Sequence, residues 1–432
     1  MNKIDHAEKL LQLTEEGTSP FHVTASVERQ FQEAGFKKVQ LGKNWKLEKG
    51  GRYYLVHHGT SLVAFAIGKC YRTGDAFRMA AAHTDFPGLR IKPAPEVKKA
   101  GYRQLNVEVY GGAILNTWLD RPLGIAGRVA VRTQDAFAPK IVEFVSEKNL
   151  LTIPNLAIHM NREVNKGVEL NRQTDMLPVF ALLPEEEKKA DYFLTFLADE
   201  LSVEKTDILD FELTVYCKEN PEFIGLNDDF ISSPRLDNLT SCAALISGLM
   251  DARRMEGINL IALFDHEEIG SHTKQGAGSI LLHDMLRRIL KELGREQTAE
   301  QDLYRSMLLS VDVAHGIHPN QAGKMDLTNK PVLGRGFCIK EASSQSYATD
   351  CEAIAIIQQI CEKEKIAYQK FVNRSDMPGG STLGSIASAL LPVKTVDIGI
   401  PLLAMHSARE LMGSADQQAL KDLVTAYFTL AS

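Results

Sequence analysis

The sequence predicts an α/β layer structure around a largely buried sheet, built from both ends of the chain and interrupted by a β-rich insertion. Three observations point there. At 432 residues the chain exceeds the ~250–300 residues at which single hydrophobic cores stop growing. Beyond residue 223, helix-period segments alternate with apolar strand-like ones, as in a sheet covered by helices. Between a proline-rich stretch, IKPAPEVKK (91–99), and a second break at CKENPEF (217–223), short strand-like runs alternate with glycines instead.

In chain order, the first forty residues read as two helices broken at Gly17-Thr18-Ser19-Pro20, with Thr18 or Ser19 as cap. Three β-rich runs follow: RYYLVHH (52–58), SLVAFAIG (61–68) and FRMAAAH (77–83). The insertion holds strands such as LNVEVYGG (105–112) and GIAGRVAVR (124–132). It also holds one polar helix candidate, PEEEKKADYFLTFLADEL (184–201), in which EEEKK (185–189) reads as a solvated face. Past residue 223, RLDNLTSCAALISGLMDARRM (235–255), SILLHDMLRRILKELG (279–294) and CEAIAIIQQICEKEKI (351–366) read as helices. INLIALF (258–264), MLLSVDVAH (307–315) and KTVDIGI (394–400) read as strands between them.

Composition narrows the function class by exclusion. A net charge of −6 argues against nucleic acid, which favours a basic face. No apolar run approaches the ~20 residues that span a bilayer, and the charged start MNKIDHAEKLLQLTEEG lacks a signal-peptide core. The six cysteines (70, 217, 242, 338, 351 and 361) are scattered without a CxxC pair. Reduced thiols and a cytoplasmic location are the expectation.

Chemistry enters at ALFDHEEIGS (262–271), where an apolar strand ends in Asp265, His266, Glu267 and Glu268. Charges at the end of a buried strand are expensive to desolvate unless compensated. Ligands in open α/β sheets gather beyond the carboxyl ends of the strands. There the sequence puts His83 and Asp85 after FRMAAA, Glu267 and Glu268 after INLIALF, Asp312 in LLSVDVAHG and His406 after VDIGIPLLAM, with Asp237 at the mouth of the long helix. Singly, each has an ordinary explanation: a hydrogen-bonded histidine, a helix-capping aspartate, a buried acid on a backbone amide. Together they are a donor set for a hard-to-borderline dication. A helical metalloprotease motif fails in HEEIGSH, because Gly270 stands four residues after His266. The set fits two metals bridged by Asp237, which leaves one glutamate spare as a general base.

At this point the chain resembles the aspartyl aminopeptidases, di-zinc exopeptidases of the co-catalytic zinc aminopeptidase superfamily. The resemblance is carried by SPFHV (19–23), AAHTDFPGLRIKP (81–93), YGGAILNTWLDRPLGIAGRV (110–129) and NLAIHMNREVN (155–165). It continues through SPRLDNL (233–239), FDHEEIGSHTKQGAGS (264–279), SVDVAHGIHPN (310–320), QSYATD (345–350) and AMHSARE (404–410). It implies a three-layer catalytic domain, a central mixed β-sheet between helices, from residues 1–93 and 222–432. Residues 94–221 would form an inserted β-rich dimerisation and lid domain. It also implies that His83, Asp237 and Asp312 hold one zinc, that Asp237, Glu268 and His406 hold the other, and that Glu267 is the base. Manganese or cobalt may stand in for zinc. Asp85 would orient His83. His159, by itself an ordinary loop histidine, would reach a neighbouring subunit's active site within a tetrahedral dodecamer built from dimers.

Lys340 aligns with a lysine that reads an acidic side chain on the substrate, and RSDMPGGSTLG (374–384) would bring Ser381 or Thr382 to a helix N-terminus beside the pocket. The expected substrates are peptides with a free N-terminal Asp or Glu. A di-zinc amidohydrolase of N-acyl amino acids, or a silent scaffold on the same fold, are the competing readings. His57 and His58 are expected to face water, His266 to orient its neighbours, and His315 and His318 to have no ligand role.

Overall fold

An apolar run such as INLIALF has to be covered on both faces, and the strand Ile258–Phe264 is buried at every position. It lies in a nine-stranded mixed sheet, in the order 37–38, 52–57, 61–67, 258–264, 77–83, 307–311, 394–399, 337–341 and 368–372. The structure, a computed structural model, describes residues 3–72, 75–183, 191–377 and 379–431; the EEEKK run lies outside them. Four neighbouring strands at the centre, 258–264, 77–83, 307–311 and 394–399, run parallel. The strands on either side of them, 61–67 and 337–341, pair antiparallel.

Alternation along each central strand divides the core in two. Ile261, Leu263, Ala80 and Ala82 face the helices Lys3–Glu16, Pro20–Glu33, Leu236–Asp251, Cys351–Glu364 and Ser414–Thr429. Leu260, Phe264, Met79 and Ala81 face Leu281–Glu292, Ala299–Tyr304 and Leu383–Leu390. Helix, sheet and helix make three layers, and burial on both faces explains why these strands read as unbroken apolar runs.

The chain divides into two compact units: residues 1–86, 221–405 and 410–432 in the first, residues 87–220 and 406–409 in the second. The second unit has its own core, including Leu105, Ile125, Phe193 and Leu213, beneath a six-stranded antiparallel sheet. Its order is 140–145, 123–131, 208–217, 88–99, 102–110 and 179–182. The proline-rich stretch proves to be part of the strand Gly88–Lys99, whose pairing slips between Ile91 and Glu96 around a left-handed Ala94. Pro93 and Pro95 have no N–H to give the ladder, so the strand continues while its pairing breaks and resumes in a shifted register at Glu96.

The parallel strands 307–311 and 394–399 close so tightly at their ends that a Cβ on Gly399 would lie 1.5 Å from the carbonyl oxygen of Asp312. Asp312 in turn donates its N–H to Ile398 O at 2.9 Å. Gly399→Ala therefore has to move backbone, and should lower the unfolding free energy by about 1–3 kcal/mol, typical of overpacking. A fall in the urea midpoint checks this; an unchanged midpoint would contradict the close approach.

Candidate metal centre

Sheet register carries the ligand-type residues to one place. Phe264 pairs with His83, and Ser310 with Ala81, so the chain beyond Phe264 and beyond Val311 leaves the sheet level with His83. The buried His83 ring points its Nε2 at three carboxylates. Asp237 Oδ1 is 3.4 Å away, Asp312 Oδ1 3.5 Å and Glu267 Oε2 3.9 Å. Ligand atoms of His83, Asp237 and Asp312 lie within 4.8 Å of one another, and so do those of His83, Glu267 and Glu268.

Asp85 serves more than one neighbour. Its carboxylate is 3.3 Å from His83 Nδ1, which also lies 3.0 Å from the Asp85 carbonyl oxygen. The same carboxylate accepts the backbone N–H groups of Glu267 and Glu268, each at 3.1 Å. One fully buried acid therefore holds both the imidazole and the short turn Glu267–Ile269 that carries the two glutamates.

Asp237 comes from the first turn of the long helix, where Asp237 and Asn238 depart from helical geometry across a cis peptide. The Asp237 N–H donates to Glu410 Oε2 at 2.9 Å, and Asn238 Nδ2 donates to Val311 O at 2.9 Å. Sequence reasoning missed Glu410, which sits in an ordinary-looking run, ELMG, and is buried where it accepts the Asp237 N–H. It also missed Asp397. That fully buried acid accepts the hydroxyls of Ser310 and Thr382, both at 2.5 Å, and the Ala348 N–H at 2.6 Å. No spacing signal marks either residue.

Burial and like charge set the proton affinities. Burial works against a charge on His83, but Asp237, Asp312 and Asp85 outweigh it and hold its pKa well above the usual value. Glu267 is pushed up to about 8 by burial, against the pull of His83, with Asp312, Asp85 and Asp237 adding to the rise. Burial and then the Asp237 charge push Glu268 well above the ordinary range. Carboxylates that cannot all ionise unaided, around one imidazole nitrogen, form the oxygen and nitrogen donor set that suits zinc. The residues present fit such an ion.

The other predicted residues are distributed as follows. Lys340 is buried, with Nζ donating to the carbonyls of Asp312 and Val313 at 3.2 and 2.9 Å and lying 3.6 Å from Asp312 Oδ2. Burial opposes its charge, but Asp312 together with Tyr347, Asp397 and Glu267 outweighs it, so its pKa rises. Thr382 caps the helix Leu383–Leu390 with its hydroxyl turned inward to Asp397, whereas Ser381 is exposed. His406 belongs to the second unit, with Nδ1 3.2 Å from Gly112 O, and His159 stands on an exposed turn there.

His266 turns toward Thr273 Oγ1 (2.9 Å) and Asp265 Oδ2 (3.2 Å), bracing the loop. His58, His315 and His318 are exposed. His57, expected in water, is half-buried with Nε2 3.1 Å from Lys274 O. All six cysteines are free; the buried Cys242 thiol donates to His83 O at 3.0 Å. No helix among the described residues is long and apolar enough to cross a membrane.

The profile of the M18 family, aminopeptidase I zinc metalloproteases, matches residues 13–428. A probable M18 family aminopeptidase 2 from Clostridium novyi is 43% identical over 417 residues, 96% of either chain. A chain in the cryo-EM structure of the Ape4 and Nbr1 complex superposes with a TM-score of 0.95 at 33% identity. That match covers 99% of this chain and 86% of the other. The S. cerevisiae mApe1 dodecamer gives a TM-score of 0.83 at 25% identity, over 98% of this chain and 96% of that one.

Asp85 offers a test of the centre, because acids that orient a ligating imidazole typically contribute ~10–100-fold to metal affinity or activity. Asp85→Asn, a near-isosteric change, should weaken zinc retention by that factor in competition with a chelator. An unchanged zinc affinity would remove Asp85 from the centre.

Proposed function

Because the chain belongs to the M18 family of aminopeptidase I zinc metalloproteases, we propose that it removes an N-terminal Asp or Glu from peptides at a two-zinc site. Membership makes it a zinc aminopeptidase, a hydrolase. The observation that carries the finer reading is the convergence of Asp237, Glu267 and Asp312 on His83, with Glu268 beside them. That is one acid more than ligation requires.

In this reading His83, Asp237 and Asp312 would hold one zinc, and Asp237, Glu268 and His406 the other, with Asp237 shared. Manganese or cobalt could replace zinc. The metal pair, when bound, supplies Lewis acidity at the scissile carbonyl. Glu267 takes the proton of the attacking water and passes it to the departing amine. A carboxylate placed beside the ligands can hold that proton between the two events. Asp85 keeps the His83 ring and the glutamate turn in register for this work. His159 would lend a donor to the developing oxyanion from a neighbouring subunit, and Lys340 would favour an acidic first residue.

One structural neighbour is itself a dodecamer. We assign this chain a comparable assembly, a tetrahedral dodecamer of dimers joined through residues 94–221, in the cytoplasm. A free N-terminus on the substrate separates this reading from hydrolysis of N-acyl amino acids, so N-acetylated peptides should be poor substrates.

Glu267→Gln should retain its zinc and lose about 10²–10⁴-fold in turnover, the usual contribution of a positioned base. Wild-type turnover in a zinc-replete Glu267→Gln protein would sink the assignment. With zinc loaded, Asp- and Glu-anilides should be cleaved well ahead of Lys- and Leu-anilides, and Lys340→Ala should flatten that ranking. A ranking that survives Lys340→Ala removes Lys340 from specificity.

A further inference from the structure

A second concave site lies in the first unit at the opposite edge of the sheet. A cavity of about 500 Å³ opens where the strands Phe77–His83, Met307–Val311 and Lys394–Gly399 begin. Seven strand residues at ~3.3 Å each put it roughly 20 Å from His83, so it is separate from the metal centre.

Four cations line it: Arg78, Arg254, Arg305 and Lys394. Lys394 is paired with Glu352 at 2.5 Å. One acid, Asp75, also lines the cavity, and its Oδ2 accepts the N–H groups of Arg72 (2.7 Å) and Gly257 (3.1 Å). Glu256 faces Arg72, 3.9 Å away. Among the described residues, no carboxylate lies within ion-pairing distance of Arg78, Arg254 or Arg305. Arg78 Nη1 donates to the carbonyls of Tyr427 (2.6 Å) and Leu430 (2.5 Å), which gives that residue a structural task. Arg254 has only a 3.4 Å contact with Asn259 Oδ1. Burial lowers its proton affinity and the facing Arg78 guanidinium lowers it further, against the smaller opposing pull of Tyr427, Asp75 and Glu256.

Helix capping accounts for Arg78 but not for the approach of two more guanidiniums. Arginine keeps its charge, and the half-buried Arg254 has the charges of Asp75 and Glu256 acting on it without a carboxylate at ion-pairing distance among the described residues, so it is only partly compensated. A planar guanidinium fork is suited to phosphate or carboxylate oxygens. Beside Asp75 and Gln359 the wall carries an apolar stretch, Met307, Ile356, Ile360 and Leu430. An ion without an apolar body would leave that half of the cavity unmet.

We propose that this cavity is a binding site for a small amphipathic anion. Its phosphate or carboxylate head would engage Arg78, Arg254 and Arg305, and its short apolar body would lie on Ile356, Ile360 and Met307.

The test is calorimetric titration of the zinc-loaded full chain with phenyl phosphate and with hexanoate, which distinguishes the two head groups, and with hexylamine as cationic control. Wild type should bind at least one of the anions saturably and ignore the amine. Arg254→Gln and Arg305→Glu should each weaken that binding about ten-fold, the loss expected for one charge-assisted hydrogen bond. Arg305 is exposed, so its variant should fold and keep peptidase activity, which separates lost binding from lost structure. Affinity unchanged in both variants would place the anion elsewhere, the metal centre included, and overturn the proposal. So would the absence of saturable binding by either anion.

Discussion

Asp237, Glu267, Glu268 and Asp312 bring four carboxylates into one largely enclosed space around His83, with Asp85 buried behind the ring. At 4 Å, two such charges repel by roughly 4 kcal/mol in a partly screened protein environment. The chain cannot relieve this by turning the side chains to water, because sheet register and the Asp85 carboxylate fix where they emerge. Two internal cations offset part of the repulsion. Without a metal the acidic neighbours raise the proton affinity of His83, and Lys340 lies under Asp312. The remainder is an electrostatic demand that a bound dication would meet, which suits this cluster to the zinc of the family.

Holding that arrangement still falls to residues with no chemistry of their own. Ala80, Ala81 and Ala82 keep the strand before His83 slim, so helices can close on both of its faces. Gly399 lets the Asp312 backbone come against the neighbouring strand, where Lys340 collects the Asp312 and Val313 carbonyls. Asp397 ties Ser310, Ala348 and Thr382 together beneath the same corner. The metal-binding atoms are therefore positioned by backbone packing, which is stiffer than side-chain packing.

What could be read from the sequence followed from burial on both faces. INLIALF and FRMAAAH are mostly apolar, broken only by Asn259 and Arg78 near their starts, so a charge at their far ends stands out, and His83, Glu267, Glu268 and Asp312 were visible for that reason. Asp85 was visible as a neighbour of His83, but its hold on two backbone amides was not, since no pattern in the chain encodes a hydrogen bond spanning 182 residues. Asp237 was legible as a ligand candidate and illegible in conformation: its helix looks continuous, yet its first turn is not helical. Glu410 and Asp397 were silent because a buried acid within a short strand has no periodicity to violate. The proline-rich stretch misled locally, because proline removes a ladder donor without ending a strand. Thr382 was placed at the right helix end, but a hydroxyl can turn inward as readily as outward, and Asp397 decides the matter.

On the proposed reading, metal and substrate requirements share the Lys340 side chain. A lysine whose ammonium is fully buried against two carbonyls and a carboxylate is a poor reader of a second carboxylate, because its donors are engaged. The carbonyl bonds are fixed by the backbone, so the adjustable partner is Asp312 Oδ2, at a loose 3.6 Å. Once Asp312 is committed to a metal ion, its carboxylate has less charge to offer the ammonium, and an acidic substrate side chain becomes the better complement. On the proposed reading, preference for an acidic first residue is then a property of the loaded centre and should weaken together with metal occupancy. A lysine held in water would show no such dependence, because solvent would screen it from Asp312 in either state.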